Sequence, residues 1–203
     1  MSIRTCLLAV AFLCPVSAWS ADLPATTAWD CLDHFVVDLA QREEVVQAVR
    51  DYNKAPADVH ALDLLWPSFG NSDPDLNKVL QHPVARLLST TIESVSYQGE
   101  GFLMGANGGL VAATEKTTDF WQGDETQFSD AVTLMVGQVH IEGETIDQSS
   151  HSMLIKISTP VYDPIAKQNI GVLMLGFDQF VVDFDDTCKK VDGDEPAPDA
   201  SKP

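Results

Sequence analysis

Residues 101–128 read GFLMGANGGLVAATEKTTDFWQGDETQF, and this stretch decides the fold that the sequence predicts. Two short apolar segments, 102–104 and 110–113, stand on either side of Asn107, Gly108 and Gly109. Asparagine and glycine accept the positive φ angles that a tight turn requires, whereas most residues do not. The stretch therefore predicts a β-hairpin with its turn at 107–109.

The segment that follows the hairpin, residues 119–125, reads DFWQGDE and is called the aromatic–acidic loop. It holds two aromatic rings, one amide and three carboxylates within seven residues. A few polar groups beside aromatic faces are the usual make-up of a small-molecule pocket. Two plainer interpretations stay open: either aromatic side chain belongs to the core, and Asp124 caps a following helix. The candidate binding residues in and after the loop are Asp119, Phe120, Trp121, Gln122, Asp124, Glu125 and Phe128.

Helix patterns fill the chain before the hairpin. Apolar residues at helical spacing predict one long amphipathic helix from the capping residue Thr27 to Asn53. A short helix is predicted over 58–66 and is ended by Pro67. A third helix begins at the cap Asp73, has a proline in its first position, and is kinked or broken at Pro83.

Strand patterns dominate after the aromatic–acidic loop. Residues 124–135 fit a helix laid across one sheet face, and a strand follows at 139–141. In 152–161 the side chains alternate, so that Met153, Ile155, Ile157 and Val161 share one face. Residues 170–177 are apolar on both faces, which is typical of a central strand. Early helices followed by strands with short connections predict an α+β fold with an antiparallel sheet of about five strands.

Three further blocks follow the loop in order: DQSS at 147–150, MLIKISTPVYD at 153–163 and NIGVLMLGFD at 169–178. With the hairpin and the loop sequence TTDFWQGDE, they resemble the Cache/PDC family, the extracytoplasmic PAS-like sensor domains of bacterial receptors, in a single-Cache, stand-alone exported form. The resemblance implies a PAS-like antiparallel sheet flanked by a long N-terminal helix and a second helical segment. It also implies a ligand pocket bordered by Asp119, Trp121, Gln122, Tyr162 and Asp178.

The chain departs from the family pattern at two places. Gly105 stands where the family usually has an aspartate at the head of the hairpin turn. Amino-acid-binding members carry an Arg-x-Trp-Tyr arrangement after the loop to grip an α-carboxylate, whereas this chain has ETQF at 125–128. Because that arginine is missing and acids and aromatics are prominent, a neutral or cationic ligand is favoured.

The two ends of the chain differ in composition from its middle. Residues 1–21 have the features of a secretory signal peptide: the basic residue Arg4, a short apolar core and small residues near a cleavage site at 18–21. One sensor domain is expected over 22–190, with a helical part at 22–95 and a sheet part carrying the ligand loop at 96–184. Residues 191–203 lack a core-forming pattern and are expected to be a disordered acidic tail. The mature protein is therefore expected to be periplasmic or secreted.

Charge and cysteine content narrow the expected partners. The chain has 12 basic and 30 acidic residues, a formal net charge of −18, which disfavours nucleic acid and anionic membranes. No segment after the leader approaches the roughly 20 apolar residues of a membrane-spanning helix, so no membrane insertion is expected. Cys31 and Cys188 are the two cysteines outside the leader, and in an oxidising compartment they are a candidate disulfide, with two unpaired thiols as the alternative.

Motifs with a known catalytic mechanism are missing from the sequence. The chain has no nucleophile-elbow, zinc-protease or phosphate-loop motif, so we do not expect an enzyme. His82 has no second ligand at metal spacing, and residues 183–192 lack the EF-hand pattern, so neither a metal nor a cofactor is expected. We expect a sensor-type domain that binds a small molecule and passes its occupancy to a membrane receptor kinase, cyclase or chemoreceptor. The alternative is a ligand-free periplasmic interaction or scaffold protein that works through the N-terminal amphipathic helix.

Overall fold

The computed structural model describes residues 28–95, 99–146 and 153–178. Its helices are α1 (Ala28–Ala40), α2 (Glu43–Lys54), α3 (Val59–Leu65), α4 (Pro74–Leu80), α5 (Pro83–Val95) and α6 (Thr126–Ser129). Its strands are β1 (Gly99–Gly105), β2 (Leu110–Ala113), β3 (His140–Ile146), β4 (Met153–Asp163) and β5 (Gln168–Asp178). Short 3₁₀ turns lie at Trp66–Ser68 and Ala131–Thr133. The predicted leader, the acidic tail, the DQSS block and Cys188 lie outside the described residues, so what the sequence predicts for them stays a prediction.

The five described strands form one antiparallel sheet in the order β2-β1-β5-β4-β3. β5 lies at the centre between β1 and β4, and its residues are buried from Ile170 onward. This is the position that the apolar sequence 170–177 predicts. The α+β class with an antiparallel sheet is confirmed, with five strands in the described part of the chain. None of the helices in the described ranges is long and apolar enough to cross a membrane.

The predicted hairpin joins β1 to β2. Gly108 has a φ of 78°, and its N–H donates to the carbonyl of Gly105 at 2.9 Å. The side-chain oxygen of Asn107 accepts the N–H of Gly109 at 3.1 Å. A Cβ atom at Gly108 would lie 2.5 Å from the Cα of Gly123, so the turn packs directly against the aromatic–acidic loop.

Helices and loops cover both faces of the sheet. The first face packs against α1, α2 and α5, and the second face against α3, α4, the aromatic–acidic loop and α6. β5 contributes to both cores, with Leu173 on the first face and Met174 on the second. The predicted alternation of β4 is observed, since Ile155, Ile157 and Val161 all lie on the first face.

The stretch predicted as one long helix from Thr27 to Asn53 is interrupted, and α1 and α2 are separate helices. At Arg42 the backbone is extended, with φ −62° and ψ 139°. The Gln41 side chain donates to the carbonyl of Pro160 in β4 at 3.1 Å, which fixes the break to the sheet. The interruption lets α1 lie against β4 and β5 while α2 reaches β1.

The break predicted at Pro83 is confirmed, since α4 ends before it and α5 begins at it. Asp73 caps α4 as predicted, and its carboxylate accepts the N–H of Asp75 at 3.0 Å. His82 lies between the two helices, and its Nδ1 accepts the N–H of Val84 at 3.2 Å.

The helix predicted over 124–135 is much shorter in the structure, where α6 is followed by a 3₁₀ turn. The amide of Asn169 in β5 donates to the carbonyls of Val132 and Leu134, both at 2.9 Å. Those carbonyls are therefore bound to the sheet. Asp124 does not cap α6, because the residue at the N-cap is Glu125 and its side chain makes no capping hydrogen bond.

An ion pair joins α2 to the turn between β4 and β5. The Nε and Nη2 atoms of Arg50 donate to the two carboxylate oxygens of Asp163 at 3.0 and 2.7 Å. The guanidinium holds the pKa of Asp163 well below its usual range, and the carboxylate in turn raises the pKa of Arg50. The same carboxylate accepts the N–H of Ile165 at 2.8 Å, so the pair also fixes the turn.

A candidate ligand site on the second face of the sheet

A carboxylate from α3 holds the start of the aromatic–acidic loop. One oxygen of Asp63 accepts the N–H groups of Phe120 and Trp121, both at 2.9 Å. Sequence reasoning missed Asp63, because nothing local connects it with a loop 57 residues further along the chain. A charged acceptor with two backbone donors is a strong local arrangement, so the loop has a defined path over the sheet.

The loop is also bound to the hairpin turn. The indole N–H of Trp121 donates to the carbonyl of Asn107 at 2.9 Å, and the N–H of Gln122 donates to that of Gly108 at 2.8 Å. The side-chain oxygen of Asn107 accepts the hydroxyl of Tyr52 in α2 at 3.1 Å. Burial raises the pKa of Tyr52, so its phenol is a neutral donor at ordinary pH. Asn107 thus connects α2, the hairpin and the loop.

The two predicted phenylalanines lie in the apolar core of the second face. Phe120 is 2% exposed, and its ring centroid is 5.2 Å from that of Trp66. Phe128 in α6 is 7% exposed and belongs to the same core. Trp121 is half-buried, with its ring edge to face against His60 at 5.3 Å. These rings fix the loop and α6 against the sheet.

The polar residues of the loop divide into an exposed and a buried set. Asp119, Asp124 and Glu125 are exposed. Gln122 is buried, and its amide donates to the carbonyl of Asp119 at 2.8 Å. Its side-chain oxygen accepts the amide of Gln127 in α6 at 2.9 Å. Gln127 is buried too and was not among the predicted site residues.

Three charged residues and a glycine form a line across four strands, and α6 contacts the β3 and β4 end of it. Strand register aligns Glu142 in β3 with Lys156 in β4, Lys156 with Gly176 in β5, and Gly176 with Glu100 in β1. Directly opposed residues in an antiparallel sheet point to the same face, so these form one row, called the charged row. Gly176 has no side chain, and Glu100 therefore reaches across it to Lys156, with Oε1 and Nζ 3.2 Å apart. The hydroxyl of Thr126 in α6 donates to Glu142 at 2.7 Å, which sets α6 over the row.

The next row along the same face contains two buried polar atoms. Register aligns His140 in β3 with Ser158 in β4, Met174 in β5 and Phe102 in β1, here called the mixed row. The Ser158 hydroxyl and the Nε2 atom of His140 are buried, and neither has a hydrogen-bond partner within the described chain. Nδ1 of His140 lies 3.7 Å from a carboxylate oxygen of Asp130. Buried polar groups in native proteins are almost always satisfied, so these two atoms are candidates for contact with a ligand or water.

The remaining two predicted residues lie at opposite ends of the sheet. Asp178 is buried at the end of β5, two positions beyond Gly176 and therefore on the same face as the charged row. Tyr162 is half-buried near the end of β4 and is aligned with Asn169, six positions beyond Lys156. Of the predicted set, Asp178 lies on the same strand face as the charged row, and Phe128 shares the core of the second face with Phe102 and Met174 of the mixed row.

Sequence reasoning missed both rows. Their members are far apart in the chain, and only strand register brings them together. One signal was present: Lys156 and Ser158 interrupt a strand whose other residues are mostly apolar. The charged row together with Asp178 contains three carboxylates and one ammonium. Within the described residues, no group of three or more metal-ligating side chains lies together.

Comparison with known proteins gives matches at the level of structure alone. No family model matches the chain, and the search of curated proteins gave no match either. The chain is similar to the sensor domain of the Vibrio cholerae histidine kinase DctB, with TM-score 0.47 and 11% identity over 80% of this chain and 51% of that one. It is also similar to the ligand-binding domain of the Campylobacter jejuni chemoreceptor Tlp3 in complex with L-valine, with TM-score 0.40, 15% identity and 81% and 66% coverage.

A third similar structure is the ligand-binding domain of the Pseudomonas aeruginosa amino-acid chemoreceptor PctC in complex with GABA. It has TM-score 0.35 and 14% identity, over 79% of this chain and 67% of that one. The chain spans about half the length of the DctB domain and about two thirds of the other two. These three solved structures are sensor and ligand-binding domains of a bacterial histidine kinase and two chemoreceptors.

Proposed function

We propose that this chain is an exported, sensor-type domain that binds a neutral or cationic small molecule between α6 and the second face of its sheet. The observation that carries the proposal is the pair of polar rows on that face, in which Glu100 and Ser158 are buried. A fully buried hydroxyl without a partner in the described chain and a largely buried Lys156–Glu100 pair contribute little net stability, so a binding role is a better account of them. The sequence resemblance to single-Cache sensor domains supports the same reading.

In this proposal the ligand contacts Ser158, Lys156 and Glu100 from above the sheet. Gln122 and Asp178 border the site, and the exposed acids of the aromatic–acidic loop lie on its solvent side. Ser158 is 0% exposed, and α6 and the turn Ala131–Thr133 lie against β4. A ligand that reaches Ser158 must therefore move α6 and this turn. Through that movement a partner protein can detect that the site is occupied.

The bonds around Asn107 offer a route from the site to the helical layer. The aromatic–acidic loop is bound to α3 through Asp63 and to α2 through Asn107 and Tyr52. A ligand can shift the balance between two arrangements of these linked segments only to the extent that it binds one arrangement more tightly than the other. The proposed recipient is the extracytoplasmic part of a membrane receptor kinase, cyclase or chemoreceptor. No catalytic step is proposed.

The alternative, a scaffold protein that works through its N-terminal helix, has less support in the fold. The apolar residues of α1 and α2, among them Val36 and Val46, are buried against the first face of the sheet. These residues are therefore part of the core and do not form an exposed apolar surface for a partner.

A thermal-shift screen of the mature chain tests the proposed function. The compounds are amines, amino acids, organic acids, purines and divalent cations. A ligand present at about 100 times its Kd adds roughly 2.7 kcal/mol to the free energy of unfolding, which a melting curve detects. The decisive comparison is Ser158→Ala against Ser129→Ala, a serine that is exposed on α6. We expect a compound found in the screen to bind more weakly to the first variant and equally well to the second. Equal binding by both variants would show that the mixed row is not part of the site.

A further inference from the structure

A cleft of about 590 Å³ lies between α2 and α4, beside the edge strand β2. The two polar rows run across β3, β4, β5 and β1, so the cleft is a different place in the fold. Among the nine residues that the sequence predicts as ligand-binding, Phe120 alone lines it. Its volume lies within the range of small-molecule sites in proteins.

The floor of the cleft is apolar and well packed. Val79, Leu110 and Phe120 line it, and they are 4%, 1% and 2% exposed. On the α2 side the wall includes Ala48 and Ala55, whose methyl groups leave the space open. The half-buried side chains of Tyr52 and Leu62 also line the cleft and leave apolar surface open to water. A ligand with an apolar body of modest size replaces that water, which is favourable in proportion to the area covered.

The rim of the cleft carries an excess of negative charge. Asp51, Asp58 and Asp75 line it, and Lys78 is its one basic side chain among the described lining residues besides His82. Nδ1 of His82 accepts a backbone N–H and burial lowers the pKa of the ring, so at neutral pH the histidine is uncharged. Three carboxylates thus line the rim, with Lys78 beside them and Lys54 paired with Asp51 from outside the lining.

The lysines beside these carboxylates do not close the rim. Lys54 pairs with Asp51 at 2.7 Å and Lys78 with Asp75 at 2.6 Å, but all four side chains are substantially exposed. Exposed pairs of this kind contribute little and exchange easily with another cation.

We propose that this cleft is a second binding site, which takes a small organic cation. The apolar body, alkyl or aryl, lies over Val79, Leu110 and Phe120 and against the half-buried Tyr52 and Leu62. The ammonium group lies at the rim and interacts with Asp75 and the carboxylates of the opposite wall. The site does not depend on the ligand proposed for the polar rows.

Calorimetric titration of the mature chain with 2-phenylethylammonium chloride tests the cleft, with 2-phenylethanol as the neutral analogue. The probe should bind, and more tightly than the alcohol. Ala48→Leu fills the cleft from α2 and should abolish binding, whereas Ala61→Leu, at an exposed position on α3 outside the cleft, should leave binding unchanged. Equal binding of ammonium and alcohol, equal binding by the two variants, or no binding at all would overturn the proposal.

Charge variants test the rim without altering packing. Asp75→Asn should lower the affinity for the probe about threefold, and Lys78→Gln should raise it by a similar factor. These factors are on the scale of exposed charge interactions. Asp38→Asn, on the exposed side of α1 and outside the cleft, should change nothing.

The proposals for the cleft and for the rows can fail separately. Ser158→Ala should leave probe binding intact. If Ser158→Ala abolishes it and Ala48→Leu does not, the probe binds at the polar rows and the cleft proposal is wrong.

Discussion

Two adjacent hydroxyls in β4 allow a sharp test of the ligand site. Ser158 and Thr159 are both 0% exposed, but they point to opposite faces of the sheet. The Thr159 hydroxyl donates to the carbonyl of Gln138 at 2.9 Å, whereas the Ser158 hydroxyl has no partner in the described chain. Removing each hydroxyl should therefore change stability with opposite sign.

The expected magnitudes follow from the cost of burying a polar group. An unsatisfied buried hydroxyl costs about 1–3 kcal/mol, so Ser158→Ala relieves that cost and loses only the contacts of one oxygen. We expect the variant to be about 1 kcal/mol more stable, which raises Tm by roughly 2–4 °C in a chain of this size. Thr159→Val removes a satisfied bond and orphans the Gln138 carbonyl, so it should lower stability by about 1 kcal/mol.

Differential scanning calorimetry of both variants, with and without a hit from the ligand screen, measures these effects. The proposed function predicts that Ser158→Ala gains stability in the apo state and loses part of the ligand-induced shift. Thr159→Val should lose stability and keep the full shift. If Ser158→Ala is destabilised as much as Thr159→Val, the Ser158 hydroxyl has a structural partner and the argument from the mixed row is refuted.

Three further predictions concern the framework around the site. Asp63→Ala leaves two loop N–H groups without their acceptor and should cost about 2 kcal/mol in chemical denaturation, with Asp63→Asn, which keeps an oxygen, costing less. Gly108→Ala should destabilise more than Gly137→Ala in the same assay, because both glycines have positive φ but only Gly108 has backbone within 4 Å of the added methyl. The folded-state pKa of Asp163 is depressed by Arg50, so its stabilising contribution is present above the unfolded pKa of about 4 and is lost as pH falls through the folded value. Denaturation of wild type and Asp163→Asn should therefore differ most near neutral pH and converge in strong acid, and a constant difference would contradict the assignment.

Local physics explains why much of the fold was predictable. The turn at Asn107 and Gly108 needs residues that accept positive φ, and the sequence supplies them in place. Pro83 separates α4 from α5 because a proline cannot continue the hydrogen bonding of a helix interior. Strand β5 is apolar on both faces because layers cover both sides of the sheet. In the first two cases the cause lies within a few residues of the effect, and in the third the strand's own composition indicates that both its faces are covered.

The features that escaped prediction depend on contacts between distant segments. The break between α1 and α2 is fixed by Gln41, whose amide binds a carbonyl 119 residues away. The shortening of α6 depends on Asn169, and the path of the aromatic–acidic loop on Asp63. None of these partners has a local signature, since an exposed helix acid or a strand amide usually faces solvent. The loop itself was identified from composition, but the sheet residues beneath it were not.

The arrangement of the charged row argues for binding over stability. A buried ion pair can often be replaced by apolar residues of similar volume without loss of stability, so folding alone gives little reason for Lys156 in the middle of β4. The glycine at 176 strengthens the point, because a side chain there would meet Glu100 and displace it from Lys156. Glycine in the interior of a strand weakens the strand and commonly marks a site where another group approaches closely. In β5 that group is the carboxylate of Glu100, so the central strand gives up a packed side chain to keep an acid and a base together beneath α6. Replacement of both charged partners by apolar side chains, with alanine at 176, should therefore cost little stability, whereas removal of Lys156 alone would leave the carboxylate of Glu100 buried without its partner. The proposed function gives a reason for the pair, since a ligand with its own donors and acceptors could bind to it.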